Sequence, residues 1–260
     1  MKKIGFIGMG NMAKALAKGF IGSGAVAKED LYAFAPHQEK LRKNGEEIGF
    51  TPCEDVETLV KSCDTIFMAC KPYQIEEVLS QVRELLKEKA LISIAINWDF
   101  DTYAQYVDPS TRIQYIMPNT PASVREGVFL MEEKRSLTEE EESQLRNLLG
   151  AIGTVVELPG RLINAGSAIS GCGPAFVNMM MEAMADAAVK HGIPRQDAYK
   201  MVAQMVIGTG KLLLESGEHP GALKDAVCSP GGTTIRGVVA LEHAGMRAAF
   251  MDAVDAAAAK

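Results

Sequence analysis

Lys3-Ile4-Gly5-Phe6-Ile7-Gly8-Met9-Gly10-Asn11-Met12-Ala13 stands near the start of the chain, and its reading decides the fold. Lys3 to Ile7 is a compact apolar run of strand length. Gly8-Met9-Gly10-Asn11-Met12-Ala13 then fits G-x-G-x-x-G/A, and Met12 to Gly22 continues as a helix with Leu16, Gly19 and Phe20 on one face. Each small residue has a physical reason in such a strand–turn–helix. The first glycine allows the tight turn, the second lets backbone approach a pyrophosphate, and Ala13 allows the helix to pack closely on the strand. The helix N-terminus offers its free N–H groups to that anion. The stretch predicts the opening βα unit of a dinucleotide-binding sheet, with Ile7, Gly8, Met9, Gly10, Asn11 and Met12 against the dinucleotide.

Outward from this unit, short apolar runs alternate with amphipathic stretches, the pattern of a parallel sheet with crossover helices. Leu31 to Phe34 is a second strand, Thr65 to Ala69 a third, with a helix from Ile75 to Lys87 after it. Leu91 to Ala95, Ile113 to Met117 and Thr154 to Glu157 read as further strands, and Thr138-Glu139-Glu140-Glu141-Glu142 opens a helix with acids on its positive end. The second strand ends Phe34-Ala35-Pro36-His37 without an acid, while Glu29 and Asp30 lie at its wrong end. An acid there would grip the ribose hydroxyls and repel a 2′-phosphate. Its absence favours NADPH while still admitting NADH. His37, Lys40 and Lys43 are candidates to face that phosphate, or they form an ordinary solvated helix face.

Near Pro159-Gly160 the texture changes: apolar residues run at helical spacing, rich in Ala and Met (Met179, Met180, Met181, Met184, Met201, Met205). Several of these helices are apolar on more than one face, which predicts packing against a partner subunit. The fold class is therefore α/β: an N-terminal Rossmann-type doubly wound sheet over 1–160, then an all-helical domain over 161–260 that binds substrate and dimerises.

Composition fits this reading. The 260 residues are 47% hydrophobic, enough for a sizeable core, and the net charge is −6 with no dense Lys/Arg run, which argues against nucleic acid or an anionic membrane as partner. Cys53, Cys63, Cys70, Cys172 and Cys228 are odd in number and widely spaced, as small buried thiols of a reduced cytoplasmic protein would be; with His37, His191, His219 and His243 scattered, no metal site is expected. The apolar run after Met1-Lys2-Lys3 is too short and glycine-broken for a signal peptide, and no stretch has the length of a membrane span.

A second dense signal is Cys228-Ser229-Pro230-Gly231-Gly232-Thr233-Thr234-Ile235. Ser229 suits a helix N-cap, with Pro230 at the first helical position. Capping alone does not explain two glycines, which weaken a helix. They leave N–H groups open to an anion, and a carboxylate is the natural guest.

Ser229-Pro230-Gly231-Gly232-Thr233-Thr234-Ile235, followed by Ala240-Leu241-Glu242, resembles the signature of pyrroline-5-carboxylate reductases. Glu218-His219-Pro220-Gly221-Ala222-Leu223-Lys224-Asp225, Met117-Pro118-Asn119-Thr120-Pro121, Lys71-Pro72 and Gly5-Phe6-Ile7-Gly8 are similar to the same family, in order along nearly the whole chain. The resemblance implies an enzyme that reduces 1-pyrroline-5-carboxylate to L-proline with NAD(P)H, through a helical domain that dimerises by intertwining and can build larger homo-oligomers. It implies that the substrate carboxylate binds Ser229 and the N–H groups of Gly232 and Thr233, that Thr234 approaches the ring nitrogen as the catalytic contact, and that Ala69-Cys70-Lys71-Pro72 joins the glycine loop on the dinucleotide. The chain departs from the family pattern at Ala95-Ile96-Asn97, where Ala-Ala-Gly is common, at Cys172 in Gly171-Cys172-Gly173-Pro174, and at Ala35, where a polar residue often stands.

Imine reduction needs little acid–base machinery. A protonated cyclic imine is a good electrophile, and the protein must chiefly orient it against the hydride donor. Two other readings compete. A β-hydroxyacid dehydrogenase would need a proton-transferring Lys on the interdomain helix, where this chain has Val177. A non-catalytic regulatory relative would have no need of the intact Ser229–Thr234 block.

Overall fold

The computed structural model describes residues 2–259. Its first part is an eight-stranded sheet in the order β3-β2-β1-β4-β5-β6-β7-β8. The strands are β1 (Ile4–Ile7), β2 (Leu31–Phe34), β3 (Thr51–Pro52), β4 (Thr65–Met68), β5 (Ala90–Ser93), β6 (Arg112–Met117), β7 (Gly127–Arg135) and β8 (Gly153–Leu158). Helices α1 (Asn11–Gly22), α2 (Gln38–Ile48), α3 (Val56–Ser62), α4 (Ile75–Val82), α5 (Phe100–Tyr103) and α6 (Glu139–Gly150) lie between them. Strands β3 to β6 are parallel, and β1, β4 and β5 are buried along their whole length, as strands covered on both faces must be. Between β1 and β4 the strand order reverses, and the two sides of the sheet carry separate cores. Phe6, Phe20 and Phe67 lock α1 onto the sheet, with ring centroids 4.9 Å apart for Phe6–Phe67 and 5.9 Å for Phe20–Phe67.

The sheet is mixed: β7 runs antiparallel to β6, with a bulge between Gln114 and Ile116, and β8 runs parallel to β7. Strand β7 has no counterpart in the sequence reading. Its Gly-Val-Phe-Leu-Met-Glu-Glu-Lys-Arg run shows neither strand alternation nor helical spacing, and its register comes from pairing on both sides. The helix expected from Ile75 to Lys87 ends at Val82 and gives way to turns, with Glu88 left-handed at φ 60°. Helix α6 starts as anticipated: Thr138 accepts from the Glu141 N–H, and Glu141 reaches back to the Thr138 N–H.

Beyond β8 the chain is helical: α7 (Ile163–Ser167), a π-helical turn at Ala168–Cys172, then α8 (Gly173–Lys190), α9 (Arg195–Ser216), α10 (Pro220–Ala226), α11 (Thr233–His243) and α12 (Met246–Ala258). The compact units divide between Gly171 and Cys172, beyond the 160/161 boundary expected from composition. The reason is packing. Ile163 on α7 is buried with Tyr115, Met117 and Leu130 of β6 and β7, so the first helical turns after β8 belong to the sheet unit. In the second unit α8 packs along α9, and α12 touches α11 and α8.

Candidate active site

The carboxyl ends of β1, β2 and β4 open on a cavity of about 560 Å³. Ile7, Gly8, Met9 and Gly10 form one wall, and Ala69, Cys70 and Lys71 another. Gly8 has φ 97°, and a Cβ there would sit 2.6 Å from the Cys70 nitrogen, so the two loops meet backbone to backbone only because residue 8 is glycine. The loop is held by Gly8 N–H donating to the Phe34 carbonyl at 2.8 Å and Ala69 N–H to that of Ile7 at 2.8 Å. Gly10 caps α1 in an extended conformation without any side-chain bond, and a Cβ there would meet nothing within 4 Å. The fold thus leaves open space in front of the unpaired N–H groups of α1, room that any side chain at position 10 would fill. This is the shape a pyrophosphate requires. Asn11 and Met12 begin the helix and Pro72 opens a short 3₁₀ turn; these three lie outside the cavity lining.

The far end of the cavity is lined by Phe34, Ala35, Pro36, His37, Lys40 and Asn44. No carboxylate stands at the end of β2. Of the three basic candidates, His37 and Lys40 line the cavity, whereas Lys43 is exposed outside it, on the solvated face of α2. Sequence reasoning missed Asn44 on α2, Gln74 at the cap of α4, and Glu77, Val78 and Gln81 on α4, which also line the cavity. Their only sequence signal is one helical turn's spacing along each helix, which every surface helix shows. Burial pushes the Cys70 thiol up to about 11, so it lines the cavity as a neutral group.

Asn97 has φ 65°, left-handed, and asparagine tolerates that conformation best after glycine. Cys172 is exposed, and Cys70 and Cys228 are half-buried; only Cys53 and Cys63 are the buried thiols expected of all five.

In the helical unit, Ser229-Pro230-Gly231-Gly232 is a tight turn. Gly232 N–H donates to the Ser229 carbonyl at 3.0 Å, Pro230 takes the second position and Gly231 the third with φ 68°, as a type II turn demands. Ser229 is therefore not the N-cap of α11, and Pro230 is not its first residue. Gly232 is the cap, and it makes no side-chain bond. The glycines have separate reasons. Gly231 supplies the positive φ, and a Cβ on Gly232 would lie 2.6 Å from Ser229 Oγ. The turn thus brings the Ser229 hydroxyl against the open first turn of α11, beside the exposed Thr233 and Thr234. Three hydroxyls and uncapped N–H groups in one place can hold an anion. The dinucleotide candidates thus all belong to the first unit, and the substrate candidates to the second.

Among the described residues no group of His, Cys, Asp or Glu could hold a metal ion, and no helix is long and apolar enough to cross a membrane.

Comparison with known proteins finds relatives for both parts of the chain. Residues 160–260 match the family model for pyrroline-5-carboxylate reductase dimerisation, and residues 3–97 match that for NADP oxidoreductase, coenzyme F420-dependent. The chain is 41% identical over 254 residues to a pyrroline-5-carboxylate reductase of Escherichia coli, covering 97% of this chain and 94% of that one. It is 40% identical over 258 residues to the enzyme of Treponema pallidum, covering 98% of each. Among solved structures it resembles a Plasmodium falciparum pyrroline carboxylate reductase with NADP bound (TM-score 0.87, 31% identity, 98% of this chain and 95% of that one). It also resembles a Coxiella burnetii pyrroline-5-carboxylate reductase (TM-score 0.89, 29% identity, 99% and 96%). With relatives this similar over nearly its whole length, the chain belongs to the pyrroline-5-carboxylate reductase family.

Proposed function

We propose that this protein reduces the C=N bond of 1-pyrroline-5-carboxylate to give L-proline, with NADPH used at least as well as NADH. The observation that carries the reading is the turn at Ser229–Gly232, which sets one hydroxyl against the uncapped start of α11. The substrate carboxylate binds Ser229 Oγ and the N–H groups of Gly232 and Thr233, and Thr234 hydrogen-bonds the ring nitrogen as its charge changes. When bound, the dinucleotide supplies the hydride. Ile7, Gly8, Met9, Gly10, Asn11 and Met12 hold its pyrophosphate, and Ala69, Cys70, Lys71 and Pro72 bound its other side. His37 and Lys40, with no carboxylate beside them at the end of β2, favour a 2′-phosphate.

The protein's own contribution is orientation. The imine is protonated by solvent, the carboxylate clamp fixes the ring, and no side chain need carry a proton through the transition state. The active form is a homodimer through the helical unit, able to build larger rings, and the location is cytoplasmic. That location is supported by five cysteines that are all free. A groove of about 530 Å³ in that unit, lined by Phe176, Met179, Met184, Leu241, Met246 and Phe250, favours a second copy as its occupant.

The discriminating test runs the reaction backward. Proline-dependent reduction of NADP+ at high pH is expected. Its absence, with the dinucleotide still bound, would point to a non-catalytic relative, and oxidation of a β-hydroxyacid instead would point to the dehydrogenase.

A further inference from the structure

Met117-Pro118-Asn119-Thr120-Pro121 has no part in the site described above, yet it holds one of the most buried polar side chains in the molecule. Asn119 is 5% exposed. Its Oδ1 accepts from the Val128 N–H at 2.8 Å, and its Nδ2 donates to the Ser170 carbonyl at 2.8 Å. Ser170 lies in the π-helical turn Ala168–Cys172, the segment in which the first compact unit ends. A π turn shifts the hydrogen-bond ladder by one residue and leaves a carbonyl seeking a partner; such turns concentrate at functional sites. Here the Asn119 amide bonds a carbonyl of the turn from outside the helix. Ser170 Oγ also donates to the Gly166 carbonyl at 3.2 Å, so the turn is fastened from two sides. The helical unit starts at the turn's last residue, Cys172, and α8 follows from Gly173.

We infer that Asn119 is a positioning residue. Its side-chain amide bridges β7 to the π turn and fixes the point at which the chain leaves the dinucleotide unit for the unit that carries the substrate loop. An amide does this at every pH, because the bridge needs an acceptor at one end and a donor at the other. The inference rests on the proposed division of labour between the two units. On that reading hydride transfer needs both units and dinucleotide binding one, so loss of the clamp, whose residues do not line the dinucleotide cavity, should tell on the first and spare the second.

Asn119→Asp is nearly isosteric. It keeps the acceptor for Val128 but turns a carboxylate oxygen onto the Ser170 carbonyl. At pH 7.5 we expect kcat with the imine to fall about tenfold or more, NADPH affinity measured by fluorescence titration to stay within about threefold, and amides 170–174 to exchange hydrogen faster. The kcat deficit should shrink toward pH 5, as the new carboxyl gains a proton and donates to Ser170. Ser170→Ala keeps the bridge and removes only the Oγ bond to Gly166, so it should lower kcat far less than Asn119→Asp. Should the first variant fail to fold, Asn119→Ser, too short to span both partners, takes the same readouts. Unchanged kcat and exchange in a folded variant would overturn the inference, as would equal loss of NADPH binding. Faster exchange in a protein whose wild type reduces no imine would leave the clamp standing and defeat the functional reading instead.

Discussion

The two units of this chain bury themselves to very different degrees. In the sheet unit the inner strands β1, β4, β5 and β6 are sealed along nearly their whole length, and α1, α2, α3, α4 and α6 each bury apolar residues against them. In the helical unit only Ala185, Ala198 and Val202 are buried apolar residues among those described, while Met179 is 70% exposed and Leu214 78%, with Met201, Leu212, Leu241 and Met251 also more than half exposed. The first unit is complete as a fold; the second, taken alone, presents an apolar surface that water disfavours. The contrast fits the proposed reading, in which one chain builds the dinucleotide site and the helical unit calls for a second copy.

The sharpest way to break this contrast is to charge the open face. Met179→Glu with Met184→Glu should abolish self-association, seen as a monomer by sedimentation at micromolar protein, with a lowered melting temperature for the helical unit. The sheet unit should still bind NADPH. Self-association that survives would mean the groove faces something else. Next in size, Gly8→Ala should reduce dinucleotide affinity at least a hundredfold, because a Cβ at 2.6 Å from the Cys70 nitrogen forces the two loops apart. Calorimetric titration showing normal binding would remove the loop from the site.

Smaller effects separate the two halves of the substrate loop. Thr234→Ala should lower kcat on the order of tenfold to a hundredfold, since its bond changes during the reaction. Ser229→Ala should chiefly raise KM for the imine, by roughly 1–3 kcal/mol of lost charge-assisted bonding. Neither should alter KM for the dinucleotide. Steady-state kinetics in which both variants lose only dinucleotide binding would place the active site elsewhere.

The smallest effect belongs to Glu132, buried on β7 and accepting from the Phe100 N–H at 3.1 Å. Burial raises its pKa, and Asp99 and Asp101 add to the shift, while the Phe100 N–H bond and Lys134 oppose it. A carboxyl whose folded pKa is raised contributes most at low pH and loses that contribution as pH climbs through the folded value. Glu132→Gln removes this loss. Its melting temperature should therefore exceed that of the wild type by a few degrees at pH 7.5 and converge on it near pH 4. A variant less stable at both pH values would show the carboxylate to be needed as a charge.

Much of this could be read from the chain. The Gly8–Ala13 turn, the acid-free end of β2 and the switch to helices after Pro159 each follow from local chemistry, so the dinucleotide cavity was legible before its walls were. Other features depend on distant partners. β7 became a strand because β6 and β8 flank it, and its own sequence has no period. Ser229 looked like an N-cap because Ser-Pro fits one, but the positive φ at Gly231 makes the four residues a turn and moves the helix start to Thr233. Asn119 was visible only as part of a motif. Its two partners lie 9 and 51 residues away, and no local rule reaches that far.

The most direct test of the account is a steady-state assay of the wild-type protein with 1-pyrroline-5-carboxylate and each reduced dinucleotide in turn. The account predicts imine-dependent oxidation of the dinucleotide with equimolar formation of proline, and kcat/KM with NADPH at least equal to that with NADH. No imine-dependent oxidation with either dinucleotide, in protein that is folded, oligomeric and able to bind NADPH, would contradict it.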